Sequence, residues 1–395
     1  MDVAPTILAA KRRATARVPA CRPADNGRAA LARNPLLWPL IAAATATDAA
    51  ASYFGDLARA VIDDNGGGEA REPSWATPNR VALDLATVRL RDFSTRADGV
   101  PALICAPFAL HGASIADFAP GHSLVQTLRE AGLRRIFVTD WRSAGADMRF
   151  LSIDNYLADL NVVVDALGPP VDLVGLCQGG WMALVYAARF PGKVRRLVLA
   201  GAPVDVRAGE SALSDMADRI PLSSFAEIVR LGGGRVIGSR VLELWGSALA
   251  AEESVQVLQL APDIGEAEKR ELEEHFREWY AWTLDLPGTY YLQVVAWLFK
   301  ENRIAEGCFP ALGRVVDLAD VDIPVFLLAA RDDTLVAVPQ LLAVTRLVGT
   351  PPHAIETVIE PCSHLSLFAG RETLERAWGR AARWLARNAV AAHAS

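Results

Sequence analysis

The chain has 395 residues, of which 52% are hydrophobic and 22% charged, a composition that fits a folded globular protein and excludes a disordered one. With 40 Lys and Arg against 46 Asp and Glu, its net charge is −6, so it lacks the overall positive field on which non-specific nucleic-acid binding relies. The five cysteines include no CxxC pair, which argues against a disulfide framework or a zinc site and for a reducing compartment. We therefore expect a cytoplasmic protein that binds no metal and no nucleic acid.

The first 79 residues are expected to form an N-terminal helical segment and a linker. Residues 34–60 are predicted to be a helix that either packs on the body of the protein or offers an amphipathic surface to a partner. The weakly polar run at 35–51 contains Pro39 and Asp48 and is too short to cross a bilayer, so we expect no transmembrane segment. Residues 62–79 are rich in Gly, Pro and charge, which is typical of a linker.

From residue 80 onward, short aliphatic runs alternate with helical stretches, which predicts an α/β fold with a mainly parallel sheet and helices on both faces. Residues 206–305 interrupt this pattern, and we interpret them as a helical cap over the strand ends, where open α/β sheets place their ligands. The core would then comprise residues 80–205 and 306–390. The predicted strands are 86–93, 102–108, 135–141, 171–176, 196–200, 325–329 and 355–359, and the predicted helices include 152–167, 179–189 and 372–387.

The most informative segment is a tight turn between a predicted strand and a predicted helix. A buried-type strand at 171–176 runs into Gly175-x-Cys177-x-Gly179 and then directly into a helix. On such a turn the nucleophile is held clear of the sheet, and the flanking glycines relieve crowding against the neighbouring chain. The free N–H groups and the dipole at the helix N-terminus favour a thiolate and an oxyanion. We therefore predict that Cys177 is the nucleophile.

A nucleophile on this turn needs a carboxylate and then a histidine later in the chain. His364 lies a few residues after the last predicted strand, where its imidazole can reach back over the sheet. The acid is expected after the preceding strand, which is followed by Asp332 and Asp333. The pattern Asp-x-Leu-Val favours Asp333 if the loop follows the common hydrolase form, and Asp332 remains the alternative.

Two backbone N–H groups are expected to form an oxyanion hole beside the nucleophile. The first belongs to Gln178, the residue after the nucleophile, and the second to the loop after the predicted strand at 102–108, near Ala109. His111 in the same loop is expected to shape the pocket. The side chains predicted to line the substrate pocket are Phe108, His111, Trp181, Trp279 and Trp282.

From about residue 101 to residue 385 the sequence resembles the polyhydroxyalkanoate synthase family of α/β-hydrolase-fold enzymes. The segments that carry the resemblance are ADFAPGHSLV at 116–125, VTDWR at 138–142, GLCQGG at 175–180, APVD at 202–205, LPG at 286–288 with Trp279 upstream, LLAARDDTLV at 327–336 and SH at 363–364. The family's Cys, Asp and His then fall on Cys177, Asp333 and His364. Two positions depart from the family pattern, because Ser363 replaces a glycine and Gln178 replaces an aliphatic residue.

The resemblance implies an acyltransferase that moves 3-hydroxyacyl groups from coenzyme A thioesters to a growing polyester, with no bound cofactor. It implies association with a polymer granule surface, and either a homodimer or a partner subunit. An intracellular polyhydroxyalkanoate depolymerase or esterase of the same fold is the alternative, and a non-catalytic granule-associated binding protein is a third interpretation. The direction of the net reaction, the acyl chain length and the coenzyme A site stay open at this level.

Overall fold

The computed structural model describes residues 71–245 and 265–387. The predicted helix at 34–60 and most of the predicted linker lie outside the described residues. The strands of the main sheet are β1 Arg80–Asp84, β2 Val88–Asp92, β3 Ala102–Cys105, β4 Ile136–Trp141, β5 Val171–Leu176, β6 Val194–Ala200, β7 Val325–Ala330 and β8 Ile355–Glu360.

Within the described residues these strands form one sheet in the order β1-β2-β4-β3-β5-β6-β7-β8. β1 and β2 are a hairpin that pairs antiparallel to β4, whereas the strands from β4 to β8 run parallel. The predicted α/β class is therefore confirmed. The predicted strand at 86–93 is present as β2, Val88–Asp92, whereas β1 before it was not predicted. β1 escaped prediction because it lies at the sheet edge, is mostly exposed and lacks an aliphatic run.

Helices cover both faces of this sheet. The helices are α1 Leu124–Glu130, α2 Ile153–Leu167, α3 Gln178–Arg189, α4 Ala212–Arg219, α5 Leu222–Leu231, α6 Gly238–Trp245, α7 Glu266–Ala281, α8 Gly288–Gln293, α9 Val338–Leu342, α10 Val344–Leu347, α11 Ser366–Ala369, α12 Arg371–Thr373 and α13 Gly379–Ala386. Wider π-type turns at Val294–Lys300 and Leu374–Trp378 follow α8 and α12, so the predicted helix at 372–387 is present as one helical stretch.

The central strand β5 is buried along its whole length, which explains its continuous aliphatic sequence. Successive side chains of a strand point to opposite faces of the sheet. Val171 and Leu173 accordingly join the core cluster that contains α2 and α3, while Val174 and Leu176 join the cluster on the other face. Apolar packing on both faces therefore holds β5 in place, and with it the position of the turn that follows Leu176.

The chain between β6 and β7 carries the helices of the predicted cap, and part of it is bonded to the core loops. His111 and Thr283 form a β-bridge, and the N–H of Leu284 donates to the carbonyl of Leu110 over 2.8 Å. The N–H of Ala144 also donates to the carbonyl of Asp285 over 2.9 Å. Residues 283–285 thus lie across the loop that follows β3. The division into cap and core at 206 and 305 stays a prediction.

The described end of the predicted linker contacts the core. The backbone N–H and the hydroxyl of Thr77 each donate to the carboxylate of Asp117 over 2.8 Å. The hydroxyl of Ser123 donates to the same buried carboxylate over 2.5 Å. Asp117 thereby ties the chain before β1 to the start of α1. In residues 71–245 and 265–387, no helix has the length and apolar character needed to cross a membrane.

The packing at the turn after β5 predicts that replacement of Gly179 by Ala destabilises the protein more than the same replacement at Gly265. A Cβ at Gly179 would lie 2.1 Å from the carbonyl oxygen of Cys105, whereas a Cβ at Gly265 would meet nothing within 4 Å. We expect Gly179→Ala to lower the free energy of unfolding by about 2 kcal/mol, since overpacking against backbone forces the chain to shift. Gly265 is the N-cap of α7, where Ala is a poorer cap, so Gly265→Ala should lower the free energy of unfolding by less than about 1 kcal/mol. Urea denaturation of both variants measures the difference, and equal stabilities would contradict the account of the turn.

Candidate active site

Cys177 occupies a strained backbone position between β5 and α3. Its φ of 47° and ψ of −117° lie outside the regions that L-residues usually adopt. Its N–H donates to the carbonyl of Ala200 at the end of β6 over 2.9 Å, and its carbonyl accepts from the N–H of Gly180 over 2.9 Å. The turn is therefore held by hydrogen bonds on both sides, and the thiol is left half-buried at the carboxyl edge of the sheet.

The glycines around Cys177 permit the close approach of α3 to the sheet. A Cβ at Gly175 would lie 2.5 Å from the Cα of Gly180, and one at Gly180 would lie 2.3 Å from the Cβ of Ala202. Real Cβ atoms do not approach their neighbours so closely. The glycines of the GLCQGG segment are therefore required by the close packing of β5, α3 and the chain after β6.

His364 lies in the turn after β8 and contacts both of the other predicted triad residues. Its Nδ1 is 2.6 Å from Oδ2 of Asp333, and the side chain of Cys177 lies close enough to the ring to interact with it. The ring also packs edge-on against Phe368, with the centroids 5.2 Å apart. These contacts leave the His364 side chain only 8% exposed. The structure therefore brings Cys177, His364 and Asp333 together at the carboxyl edge of the sheet, with His364 hydrogen-bonded to Asp333.

The two candidate acids differ in their surroundings. Oδ1 of Asp333 accepts the N–H groups of Leu335 and Val336 over 2.8 and 2.9 Å, which leaves Oδ2 for His364. The Asp333 side chain is completely buried, whereas Asp332 is exposed. A carboxylate that accepts backbone N–H groups is oriented as well as charged. The geometry favours Asp333 over Asp332, and its catalytic role stays a prediction.

Electrostatics at His364 favour the protonated ring. Burial alone opposes protonation of the imidazole, but the negative charges of Asp333 and Cys177 outweigh it and raise the pKa of His364 well above its ordinary value. An imidazolium beside a cysteine stabilises the thiolate. Cys177 therefore faces a positively charged ring.

The other free thiols of the described residues lack such a partner. Burial raises the pKa of Cys105 to about 12 and that of Cys362 to about 11, so both stay protonated at neutral pH. The expectation that all five cysteines are unpaired is wrong for Cys308, which is disulfide-bonded. Within residues 71–245 and 265–387 no cluster of His, Cys, Asp and Glu is placed to hold a metal ion.

The predicted oxyanion donors lie in two segments that meet at the turn. Gln178 is the first residue of α3, and an N–H in the first turn of a helix has no acceptor within the helix. Ala109 lies in the loop after β3. Cys105 and Ala106, a few residues before Ala109, lie against Gly179. The side-chain carbonyl of Gln178 accepts Trp181 Nε1–H over 2.6 Å, so the amide is fixed to its own helix. The role of both N–H groups stays a prediction.

The predicted pocket residues fall into two groups. Phe108 is buried beside the oxyanion loop, and His111 lies between the rings of Trp279 and Tyr280 at centroid distances of 4.7 and 4.8 Å. Trp282 lies next to Gly112. Trp181, by contrast, is fully buried in the core against Phe309, with the ring centroids 5.7 Å apart.

His111 is neutral under ordinary conditions. Enclosure by the surrounding rings lowers its pKa to about 4, although a backbone contact from Trp282 acts in the opposite direction. It therefore shapes this wall as an uncharged ring.

Sequence reasoning missed three residues that surround the triad. Gly201, directly after β6, has φ +53°, and a Cβ there would lie 3.3 Å from Cε1 of His364. The buried Tyr156 and Tyr290 pack against the ring of Phe108. The chain spacing of these residues carries no signal, because they meet only through tertiary packing. For Gly201, the Gly-Ala-Pro sequence after a predicted strand was a usable sign of a turn.

A model of the alpha/beta hydrolase fold family matches residues 112–370. The chain belongs to this family. Its curated relatives include the poly(3-hydroxyalkanoate) polymerase subunit PhaC of Synechocystis sp., which is 28% identical over 68% of this chain and 73% of the relative. The subunit of the same name from Allochromatium vinosum is 24% identical over 68% of this chain and 76% of the relative. The resemblance to polyhydroxyalkanoate synthases is thereby confirmed, and the chain is an enzyme of the α/β-hydrolase type.

Solved structures also match, among them a monoacylglycerol lipase from Paleococcus ferrophilus. It is 14% identical, and the match covers 76% of this chain and 98% of the lipase with a TM-score of 0.49.

The contacts at His364 predict how the two candidate acids differ in function. We expect Asp333→Asn to slow alkylation of Cys177 by iodoacetamide at pH 7 by about tenfold or more, because the pKa of His364 falls once the neighbouring carboxylate is lost. Mass spectrometry of the alkylated peptide measures the rate.

Asp332→Asn is the matched control, since it removes the same charge from an exposed position. Its rate should stay within about twofold of that of the unchanged protein. Equal slowing in both variants would show that Asp333 acts only through general electrostatics.

Proposed function

We propose that this chain is a polyhydroxyalkanoate synthase-like acyltransferase with Cys177 as its nucleophile. The observation that carries the proposal is the proximity of Cys177 to His364, which is hydrogen-bonded to Asp333, on a chain similar to polymerase subunits over most of its length. The acyl donor is a 3-hydroxyacyl coenzyme A thioester, and the acceptor is the hydroxyl end of a polyester chain. No resident cofactor takes part.

The first half-reaction loads the acyl group onto the enzyme. His364 takes the thiol proton of Cys177, and Asp333 holds the opposite ring nitrogen in its protonated form. The sulfur electron pair forms a bond to the thioester carbonyl carbon, and the carbonyl π electrons move to oxygen. When the carbonyl re-forms, the bond to the coenzyme A sulfur breaks and that sulfur takes the proton from His364. The products are acyl-Cys177 and free coenzyme A.

The second half-reaction passes the acyl group to an alcohol. His364 removes the proton of the acceptor hydroxyl, whose oxygen attacks the carbonyl of acyl-Cys177. Collapse of the tetrahedral intermediate breaks the carbon–sulfur bond, and Cys177 regains its proton from His364. The N–H groups of Gln178 and Ala109 stabilise the oxyanion in both steps, with each donor worth roughly 3–4 kcal/mol.

A cysteine nucleophile favours synthesis over depolymerisation. Exchange between a coenzyme A thioester and Cys177 converts one thioester into another and is nearly balanced, and transfer to an alcohol is then downhill. Attack of a thiolate on the oxoester of a polymer runs uphill. The depolymerase alternative therefore has no specific support from the site, and a non-catalytic binding protein would not need the charged state of His364.

The surroundings of the reaction follow from the same proposal. The product is an insoluble polyester, so the enzyme would act at the surface of a polymer granule in the cytoplasm. The relatives are named as subunits, which supports assembly either with a second copy or with a partner chain.

Release of coenzyme A tests this function directly. Protein mixed with 3-hydroxybutyryl-coenzyme A should release free thiol continuously, and Cys177→Ala should reduce the rate to the background. Cys362→Ala is the matched control, because it removes a buried thiol whose pKa of about 11 keeps it protonated. It should retain most of the activity.

Two outcomes would contradict the proposal. One is the absence of thiol release with donors of every chain length while amorphous polymer is degraded, which would favour the depolymerase. The other is full activity of Cys177→Ala, which would exclude Cys177 as the nucleophile.

A further inference from the structure

Two tyrosine hydroxyls are buried beside the active-site turn without a partner. Tyr156 on α2 and Tyr290 on α8 are at most 1% exposed, and neither hydroxyl has a hydrogen-bond partner among residues 71–245 and 265–387. Buried phenol groups ordinarily find one. Tyr186, for example, donates its hydroxyl to Asn161 over 3.2 Å. An unpartnered pair therefore calls for a polar ligand.

The pair lies against the wall that carries the oxyanion loop. The ring of Phe108 is 4.6 Å from that of Tyr156 and 5.0 Å from that of Tyr290, and the two tyrosine rings are 4.9 Å apart. Phe108 directly precedes Ala109, the proposed second oxyanion donor. Both tyrosine rings therefore pack against Phe108, which belongs to the loop that would face the acyl carbonyl on Cys177 in the proposed mechanism.

Both phenols keep their protons. Burial raises the pKa of Tyr290 well above its ordinary value, and the nearby ionisable side chains, Cys177 among them, act in the same direction. Burial likewise raises the pKa of Tyr156. Both phenols therefore stay protonated throughout the working pH range, so each can donate one hydrogen bond and accept another.

The rings packed against the pair offer the hydroxyls no hydrogen-bond partner. Phe108 is apolar, and the Nε1–H of Trp141 already donates to the carbonyl of Ala106 over 2.8 Å. Phenylalanine at both positions would fill the same space without leaving buried polar atoms unpaired.

We propose that the hydroxyls of Tyr156 and Tyr290 bind the hydroxyl group of the acyl chain carried on Cys177, and so select hydroxyacyl over unsubstituted acyl thioesters. This inference rests on the proposed acyltransferase function and adds the residues that determine its specificity. A substrate hydroxyl donates to one phenol and accepts from the other. An acyl chain without that hydroxyl leaves both phenols unpaired, and sites built in this way reject such analogues.

Single-turnover acylation tests the inference. Cys177 is acylated with 3-hydroxybutyryl-coenzyme A and, separately, with butyryl-coenzyme A, and mass spectrometry follows the added mass on the protein. The measured quantity is the ratio of the two acylation rates. In the unchanged protein the ratio should favour the hydroxyacyl donor. We expect Tyr290→Phe and Tyr156→Phe each to lower it about tenfold, the size of one lost hydrogen bond in a closed site.

Tyr291→Phe is the matched control, since it removes a hydroxyl from the adjacent residue. The ring of Tyr291 packs instead toward Phe225, with the centroids 6.2 Å apart. Its rate ratio should equal that of the unchanged protein. Near-ultraviolet circular dichroism verifies that each variant is folded, and the two tyrosines on separate helices give independent tests if one variant fails to fold.

The outcomes separate this inference from the function on which it rests. If the unchanged protein is acylated by both donors and the ratio survives in both phenylalanine variants, the role of the tyrosines is overturned while the acyltransferase function stands. A ratio near one in the unchanged protein also overturns the role of the tyrosines. If neither donor acylates Cys177, both proposals fail together.

Discussion

The close approach of helix α3 to strands β3 and β5 is the constraint on which the rest of the site depends. Only glycine fits at positions 175, 179 and 180, because any Cβ there would overlap neighbouring atoms. Because of this close contact, the chain turns sharply at Cys177. The residue adopts a strained backbone conformation with a positive φ. The hydrogen bonds to Ala200 and from Gly180 keep the strained turn in place. The sulfur, the start of the helix and the loop after β3 are thereby positioned by backbone packing, without reliance on flexible side chains.

Polar contacts then determine the charge of the site. Asp333 is oriented by two backbone N–H groups before it reaches His364, so its charge is directed at one ring nitrogen. His364 is in turn confined by Phe368 and by the glycine at position 201. A fully buried carboxylate of this kind is stable only when its hydrogen-bonding capacity is used. The hydrogen bonds that stabilise the buried carboxylate of Asp333 therefore also direct its charge at His364.

Much of the fold could be predicted because buried parallel strands have continuous aliphatic sequences. The strand at 171–176 matches β5 in both limits, and the turn after it has a sequence that few other structures require. The hairpin strand β1 could not be predicted, since its exposed edge position leaves no apolar pattern. The preference for Asp333 over Asp332 followed from loop chemistry. The tyrosine pair could not be found in this way, because Tyr156 and Tyr290 are far apart in sequence and come together, with Phe108, only in the folded chain.

The backbone bonds between residues 283–284 and 110–111 have a mechanical consequence. They make the segment above the site and the chain that follows Ala109 into one continuous ribbon. Any outward swing of that segment must therefore also displace the loop after β3 that contains Ala109. If Ala109 supplies the proposed oxyanion donor, a change in this segment changes the geometry of that donor as well. In the proposed mechanism, acyl-Cys177 then meets both donors only while the two segments stay paired.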